Sequence, residues 1–116
     1  MMVLLTSSHR LENGLLVRVR FPHRRDRAAV AEFHRRIGLP VDELDLQRLL
    51  SFDLRRRRTV VAMAWADSAE ALVGIATTTH DGDPTPDALV ADEQLAPGVS
   101  SLLLAALAEQ ERARAA

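Results

Sequence analysis

The sequence has 116 residues, a length that suits one domain and leaves no room for two. Hydrophobic residues make up 47% of the sequence, more than disordered chains carry, so a packed globular fold is expected. The formal net charge of −1 argues against a general nucleic-acid-binding protein, and the lack of cysteine excludes disulfides, cysteine–zinc sites and thiol catalysis.

The chain opens with a short apolar run followed by a predicted hairpin. Met1–Leu5 reaches polar residues too soon for a signal peptide or a membrane span, so we expect a cytoplasmic protein with no membrane partner. Val3–Leu5 and Leu15–Phe21 are predicted to form a β-hairpin. Asn13 followed by Gly14, which lies between them, is the strongest short-range signal for a tight turn.

Two helices are predicted after this hairpin. Apolar residues recur at helical spacing from Val30 to Ile37, which predicts a helix. Asp26 is expected to cap its start, and Gly38 is a normal stop signal at its end. Asp42 precedes a shorter amphipathic helix, whose leucines at Leu46–Leu50 share one side.

Three strands and a helix are predicted in the second half of the chain. Thr59–Trp65 and Ala71–Thr79 are rich in β-branched and apolar residues and should form a second hairpin. The segment His80–Asp87 has the proline and aspartate content of a loop, strand resumes over Ala88–Ala91, and a leucine-rich helix starts near Pro97. This order of elements indicates a mixed α/β fold rather than a helix bundle or a β-sandwich.

The connection between the last strand and the last helix is a candidate anion site. Free backbone N–H groups at a helix start suit a pyrophosphate, although any strand-to-helix turn can contain one glycine such as Gly98. Asp92 and Glu93 are candidates for a general base acting on an amine, or they only shape the turn. Ser100 and Ser101 are interpreted as helix caps, because no nucleophile-elbow motif surrounds them.

Other polar clusters do not indicate a further site. The basic run Arg55–Arg58 suits a phosphate, an acidic partner or RNA, but no stacking aromatic residues accompany it, and a solvated loop is the simpler interpretation. The histidines lack the paired spacing of metal ligands, so no metal is expected. These histidines are His9, His23, His34 and His80. The net charge and the lack of stacking aromatic residues likewise argue against a nucleic-acid partner.

Several segments together resemble the GNAT superfamily of N-acetyltransferases, especially the GNAT domain of bacterial protein lysine acetyltransferases. The hairpin Leu11–Arg20, the helix announced by Asp26 and the segment Leu72–Ala76 are similar to the family's opening hairpin, first helix and third strand. Val90–Glu93 and Gly98–Leu104 match its fourth strand, pyrophosphate loop and third helix without gaps. The resemblance covers nearly the whole chain.

The resemblance implies a fold and a cofactor. The fold is α/β (α+β), the N-terminal half of a GNAT domain, with a mainly antiparallel sheet flanked by helices in a single domain over residues 1–116. The cofactor is acetyl-CoA, whose pantetheine would pair with backbone groups of the last strand and whose pyrophosphate would receive N–H groups of the loop. The cofactor-binding residues so implied are Leu89, Val90, Ala91, Ala96, Gly98, Val99, Ser100 and Ser101.

The sequence also departs from the family's loop pattern, R/Q-x-x-G-x-G/A. Leu95 stands at the Arg or Gln position, Ser100 replaces the final Gly or Ala, and Pro97 removes one backbone donor. The base that is common in the family would fall near Thr85, which cannot accept a proton at neutral pH. No tyrosine is present to act as the general acid.

The resemblance further implies that the C-terminal strands of a complete GNAT domain are missing and that the last strand has an open edge. We therefore expect a homodimer or another protein partner to cover that edge. Two functions remain open. One is acetyl transfer from acetyl-CoA to a primary amine, with Glu93 or Asp92 as the base, in a weakened form. The other is a non-catalytic dimerising or regulatory module.

Overall fold

The computed structural model describes residues 6–39, 42, 58–66, 69–78 and 88–115. Several predicted features lie outside these residues: Val3–Leu5, the second helix at Leu46–Leu50, most of Arg55–Arg58, and the loop His80–Asp87 with Thr85.

A five-stranded antiparallel sheet forms the centre of the described fold. Its strands lie side by side in chain order, and each pairs with the next. This arrangement confirms the mainly antiparallel sheet predicted from the sequence. The strands are β1 (Thr6–Arg10), β2 (Leu16–Arg20), β3 (Arg58–Ala66), β4 (Ala69–Thr78) and β5 (Ala88–Ala91).

Two helices pack on opposite faces of the sheet. Helix α1 (Arg27–Arg36) follows a single 3₁₀ turn, and helix α2 (Val99–Ala115) follows β5. Because side chains alternate along a strand, β3 and β4 supply buried residues to both helices. The α1 face contains Val30, Phe33, Val61, Met63, Leu72 and Ile75. The α2 face contains Val17, Val19, Val60, Ala62, Val73, Val99, Leu103 and Leu107.

The described strand β1 is polar. The predicted first strand, Val3–Leu5, lies outside the described residues, and the segment that pairs with β2 within them is Thr6–Arg10. Its residues Ser7–Arg10 alternate between half-buried and exposed positions, as befits an edge strand. An edge strand needs fewer apolar residues than a central one, which is why a hydrophobic pattern does not identify it.

Asp26 occupies the predicted N-cap position of α1, but its side chain does not cap the helix. Its carboxylate instead accepts hydrogen bonds from the Arg20 guanidinium and from the backbone N–H of His23. Gly38, with a φ of +82°, ends the helix as predicted.

A β-bulge in β4 determines how closely α2 approaches the sheet. Ala62 lies opposite Gly74 while Met63 lies opposite Leu72, so Val73 is an extra residue in β4. A Cβ atom added to Gly74 would lie 2.8 Å from Leu103 Cδ1 of α2. Any larger residue at position 74 would therefore force the end of the Leu103 side chain to shift.

Candidate functional site

Strand β5 forms one side of the candidate site. Leu89, Val90 and Ala91 lie opposite Ala76, Ile75 and Gly74 of β4. Among the described residues, no strand pairs with the other edge of β5. The backbone that the family resemblance implies for pantetheine binding is therefore at an edge of the described sheet.

Asp92 anchors the junction between β5 and the loop. Its backbone N–H donates to the carbonyl of Val73 in the bulge at 2.8 Å, and its own carbonyl accepts the N–H of Ala96 at 2.9 Å. Its carboxylate accepts the N–H of Leu95 at 3.1 Å and lies 3.5 Å from the guanidinium of Arg36. The side chain of Asp92 thus shapes the turn.

Arg36 connects this junction to α1. Its guanidinium also donates to the carbonyl of Leu72 at 3.0 Å and lies over the ring of Phe33, 5.6 Å from the centroid. Sequence reasoning missed this residue, because a lone arginine at a helix end gives no signal of a partner 56 positions away.

The first hairpin supports the loop from the other side. The Asn13 side chain donates to the carbonyl of Leu95 at 3.1 Å and accepts the N–H of Leu15 at the same distance. Ala96 is fully buried in the α2-facing core with Leu11. Asn13 was predicted only as a turn residue, and its second role depends on the fold bringing the hairpin to the loop.

The Glu93 carboxylate is hydrogen-bonded to two of the predicted pyrophosphate donors. Glu93 accepts the backbone N–H of Gly98 at 3.2 Å and that of Ser100 at 3.0 Å. The N–H of Ser100 is the largest cause of a lowered Glu93 pKa; slight desolvation works against it, and Gly98 adds to the lowering. The Gly98 φ of +90°, a conformation that favours glycine, belongs to the turn that brings these N–H groups together.

Two further predicted donors have internal partners. The N–H of Ala96 donates to the carbonyl of Asp92, and the N–H of Val99 donates to the carbonyl of Ala96 at 3.1 Å. Pro97 has no N–H. Ser101, which is exposed, lies in the first turn of α2. The loop therefore has the predicted strand–turn–helix form, and the N–H groups of Ala96, Gly98, Val99 and Ser100 are already hydrogen-bonded.

The two candidate bases are placed differently. Glu93 is exposed, and its hydrogen bonds stabilise the ionised form, which makes it a weak base. Asp92 is half-buried and bonded to the turn. Their catalytic roles stay predictions.

Two further observations bear on the site's chemistry. Among the described residues, no group of three histidine, aspartate or glutamate side chains is arranged to hold a metal ion. Neither α1 nor α2 has the length and the apolar character needed to cross a membrane.

The fold is GNAT-like, as the sequence resemblance predicts. A crystal structure of the GNAT domain of S. lividans PAT is similar to this chain with a TM-score of 0.72, at 20% identity, covering 95% of this chain and 73% of that chain. At this level of identity the likeness establishes the fold alone. No protein-family model and no curated protein sequence matches the chain.

Proposed function

We propose that this chain is an acyl-CoA-binding module with a GNAT-like fold, in which acetyl transfer to an amine is weakened. One observation carries this proposal. The N–H groups of Gly98 and Ser100 converge on the two oxygens of the Glu93 carboxylate, at the loop between β5 and α2. The two oxygens of a carboxylate resemble two oxygens of a phosphate group, so donors that bind the one can bind the other.

Two groups of residues would bind different parts of the cofactor. The backbone of Leu89, Val90 and Ala91 would hold the pantetheine arm, and the N–H groups of Gly98 and Ser100 would hold the pyrophosphate once Glu93 turns away. The thioester of the bound cofactor supplies the electrophilic acyl group. Glu93 is exposed and can leave the donors without opening the core.

Glu93 is expected to compete with the cofactor. Two unit negative charges about 4 Å apart repel by about 1 kcal/mol in water, which is roughly fivefold in affinity, and by more where water is partly excluded. The carboxylate also occupies donors that the pyrophosphate needs. Removing it should therefore strengthen binding of acetyl-CoA.

Calorimetric titration with acetyl-CoA tests this prediction. Glu93→Ala and Glu93→Gln should each bind acetyl-CoA about fivefold more tightly than the natural sequence. Glu109→Ala is the matched control, because it removes one charge from an exposed position on α2 away from the loop. Circular dichroism should show that all the variants are folded, since losing a cap costs about 1 kcal/mol.

The result that overturns the proposal is the absence of binding at millimolar acetyl-CoA in both Glu93 variants. Binding without acetyl transfer to a primary amine would support the binding module and remove the enzyme. A cytoplasmic location belongs to the same proposal.

The second candidate function is a non-catalytic dimerising or regulatory module. It is favoured by the internal use of the loop donors, because a loop that is satisfied by Glu93 needs no ligand. In this case the edge of β5 would pair with a homodimer partner or another protein. Light scattering, which measures the molar mass in solution, distinguishes the two candidates. Self-association that occurs without acetyl-CoA and is the same in the Glu93 variants favours the non-catalytic module.

A further inference from the structure

The only asparagine of the chain contacts both the first hairpin and the loop that precedes α2. Asn13 is exposed in the turn between β1 and β2, and the residue after it is Gly14. Its Oδ1 accepts the N–H of Leu15 at 3.1 Å, and its Nδ2 donates to the carbonyl of Leu95 at 3.1 Å. The second bond joins residues 82 positions apart, so the Asn13 side chain links the hairpin to the loop.

These two partners need opposite chemistry from one side chain. The Leu15 N–H needs an acceptor, and the Leu95 carbonyl needs a donor. An amide supplies one of each, so the two partners also determine which end of the carboxamide faces which. An ionised aspartate has two acceptor oxygens and no donor. One of those oxygens would face the Leu95 carbonyl and repel it, so asparagine can make both contacts and aspartate cannot.

Asn13 and Gly14 together form the dipeptide in which asparagine converts to aspartate most readily. The backbone nitrogen of Gly14 loses its proton and attacks Cγ of Asn13, and Nδ2 leaves as ammonia. The cyclic imide so formed takes up one water and opens to aspartate or isoaspartate. Glycine favours the attack because it has no side chain to shield its nitrogen. The net reaction exchanges an amide for a carboxylate, consumes water and releases ammonia.

We propose that Asn13 is a deamidation site whose conversion separates the loop before α2 from the first hairpin. Leu95 lies within that loop: its N–H donates to the Asp92 carboxylate at 3.1 Å, and the next residue, Ala96, is fully buried. Conversion removes the donor that holds the Leu95 carbonyl and adds a negative charge to the turn. The proposal does not depend on acyl-CoA binding.

The native structure slows this reaction. The Gly14 N–H donates to the carbonyl of Leu11 at 2.9 Å, so the nitrogen that must lose its proton is already hydrogen-bonded. Attack also makes Cγ tetrahedral and expels Nδ2, so the planar carboxamide cannot keep its bonds to Leu15 and Leu95. Each such bond lowers the population of the open turn roughly fivefold, so the folded chain should deamidate at least ~tenfold more slowly than the unfolded chain.

Intact-mass spectrometry of the full chain at mildly alkaline pH measures the reaction, because an amide and a carboxylic acid differ in mass. The natural chain should react at least ~tenfold faster in urea than in buffer. Asn13→Asp is the control, because it has the same glutamines and no asparagine. A mass gain that this control lacks is therefore assigned to residue 13.

Amide hydrogen exchange measured by NMR tests the consequence for the loop. In Asn13→Asp, the buried N–H groups of Ala96 and Val99 should exchange about fivefold faster, because a hydrogen bond that holds the loop is lost. The N–H of Phe33 in α1 should exchange as in the natural chain. The double variant Glu12→Gln/Asn13→Asp keeps the net charge of the turn and lacks the donor, so its loop should exchange as fast as that of Asn13→Asp.

Four results would overturn the proposal. They are equal deamidation rates in buffer and in urea, natural exchange rates of the loop in Asn13→Asp, natural rates in the double variant, or a rise for Phe33 as large as that for Ala96. The third would assign the effect to charge, and the fourth to the whole fold. If Asn13→Asp does not fold, Asn13→Ala removes both contacts without adding a charge and should speed exchange of the same loop N–H groups.

Discussion

Arg20 and Asp26 form a bidentate ion pair at the connection between β2 and α1. The two guanidinium nitrogens lie 2.7 and 2.9 Å from the carboxylate oxygens, and the N–H of His23 donates to the same carboxylate at 2.6 Å. The side chains are 13% and 7% exposed, so water screens the pair little. Burial raises the pKa of Asp26, but the bonds from Arg20 and His23 outweigh it and the pKa is lowered.

Asp26→Asn should destabilise the fold by about 2–3 kcal/mol at neutral pH, because charged hydrogen bonds to Arg20 are lost. The folded pKa of Asp26 lies below its unfolded value of about 4, so the stabilisation is complete above that pH and is lost as the pH falls through the folded pKa. Urea denaturation at neutral pH and at about pH 3 measures both effects.

The difference between the natural chain and Asp26→Asn should therefore shrink on acidification. Glu32→Gln is the control, because the Glu32–Arg35 pair is exposed and contributes little. An unchanged difference at both pH values would show that Asp26 does not act through its charge.

Glu93 shows how far the candidate site could be predicted at the scale of residues. The strand, Gly98 and the helix start follow from the sequence, because turn and helix signals are local. The bond from Ser100 to Glu93 joins positions 7 residues apart and depends on the path of the loop. Sequence patterns do not determine that path. The sequence therefore predicted Glu93 as a base but not as the acceptor of hydrogen bonds from the loop.

At the scale of elements, the contact between β4 and α2 depends on Gly74. The bulge turns both Val73 and Gly74 toward α2, and a Cβ atom at residue 74 would lie only 2.8 Å from Cδ1 of Leu103. Leu103 is fully buried, so its end can shift only by disturbing its neighbours.

Gly74→Ala should cost about 1–3 kcal/mol through overpacking, and Leu103→Ala about 2–5 kcal/mol through a cavity. Because the new methyl group occupies space that Leu103 vacates, the double variant should be more stable than the sum by about 1 kcal/mol or more. Urea denaturation of the four chains gives this coupling energy. Additive effects within about 0.5 kcal/mol would mean that the helix moves as a whole instead.

The elements were predictable where one local pattern dominates. Helix α1 has its apolar repeat, and β5 is predicted with its observed bounds, Ala88–Ala91. The bulge at Val73 was not predictable, because it extends an apolar run that reads as uninterrupted strand. Bulges are set by the partner strand and by the helix above, which no window of sequence contains.

At the scale of the whole molecule, β3 and β4 are shared by the two apolar clusters. Val60 and Val73 belong to the cluster under α2, while Val61 and Leu72 belong to the cluster under α1. If β3 and β4 unfold, the sheet residues of both clusters are therefore exposed together. The radius of gyration of 13.5 Å is close to the value of about 13.4 Å expected for one compact domain of this length.

We therefore expect one cooperative unfolding transition, as the prediction of a single domain requires. Trp65 is the only tryptophan and lies at the end of β3, so its fluorescence reports on the sheet, while far-UV circular dichroism reports mainly on the helices. The two urea curves should coincide, with a slope of about 1–2 kcal/mol/M. The measurement belongs at low protein concentration, because self-association would shift the midpoint. If fluorescence changes at lower urea than circular dichroism at such concentrations, the sheet opens while helical structure remains, and the single-domain prediction is wrong.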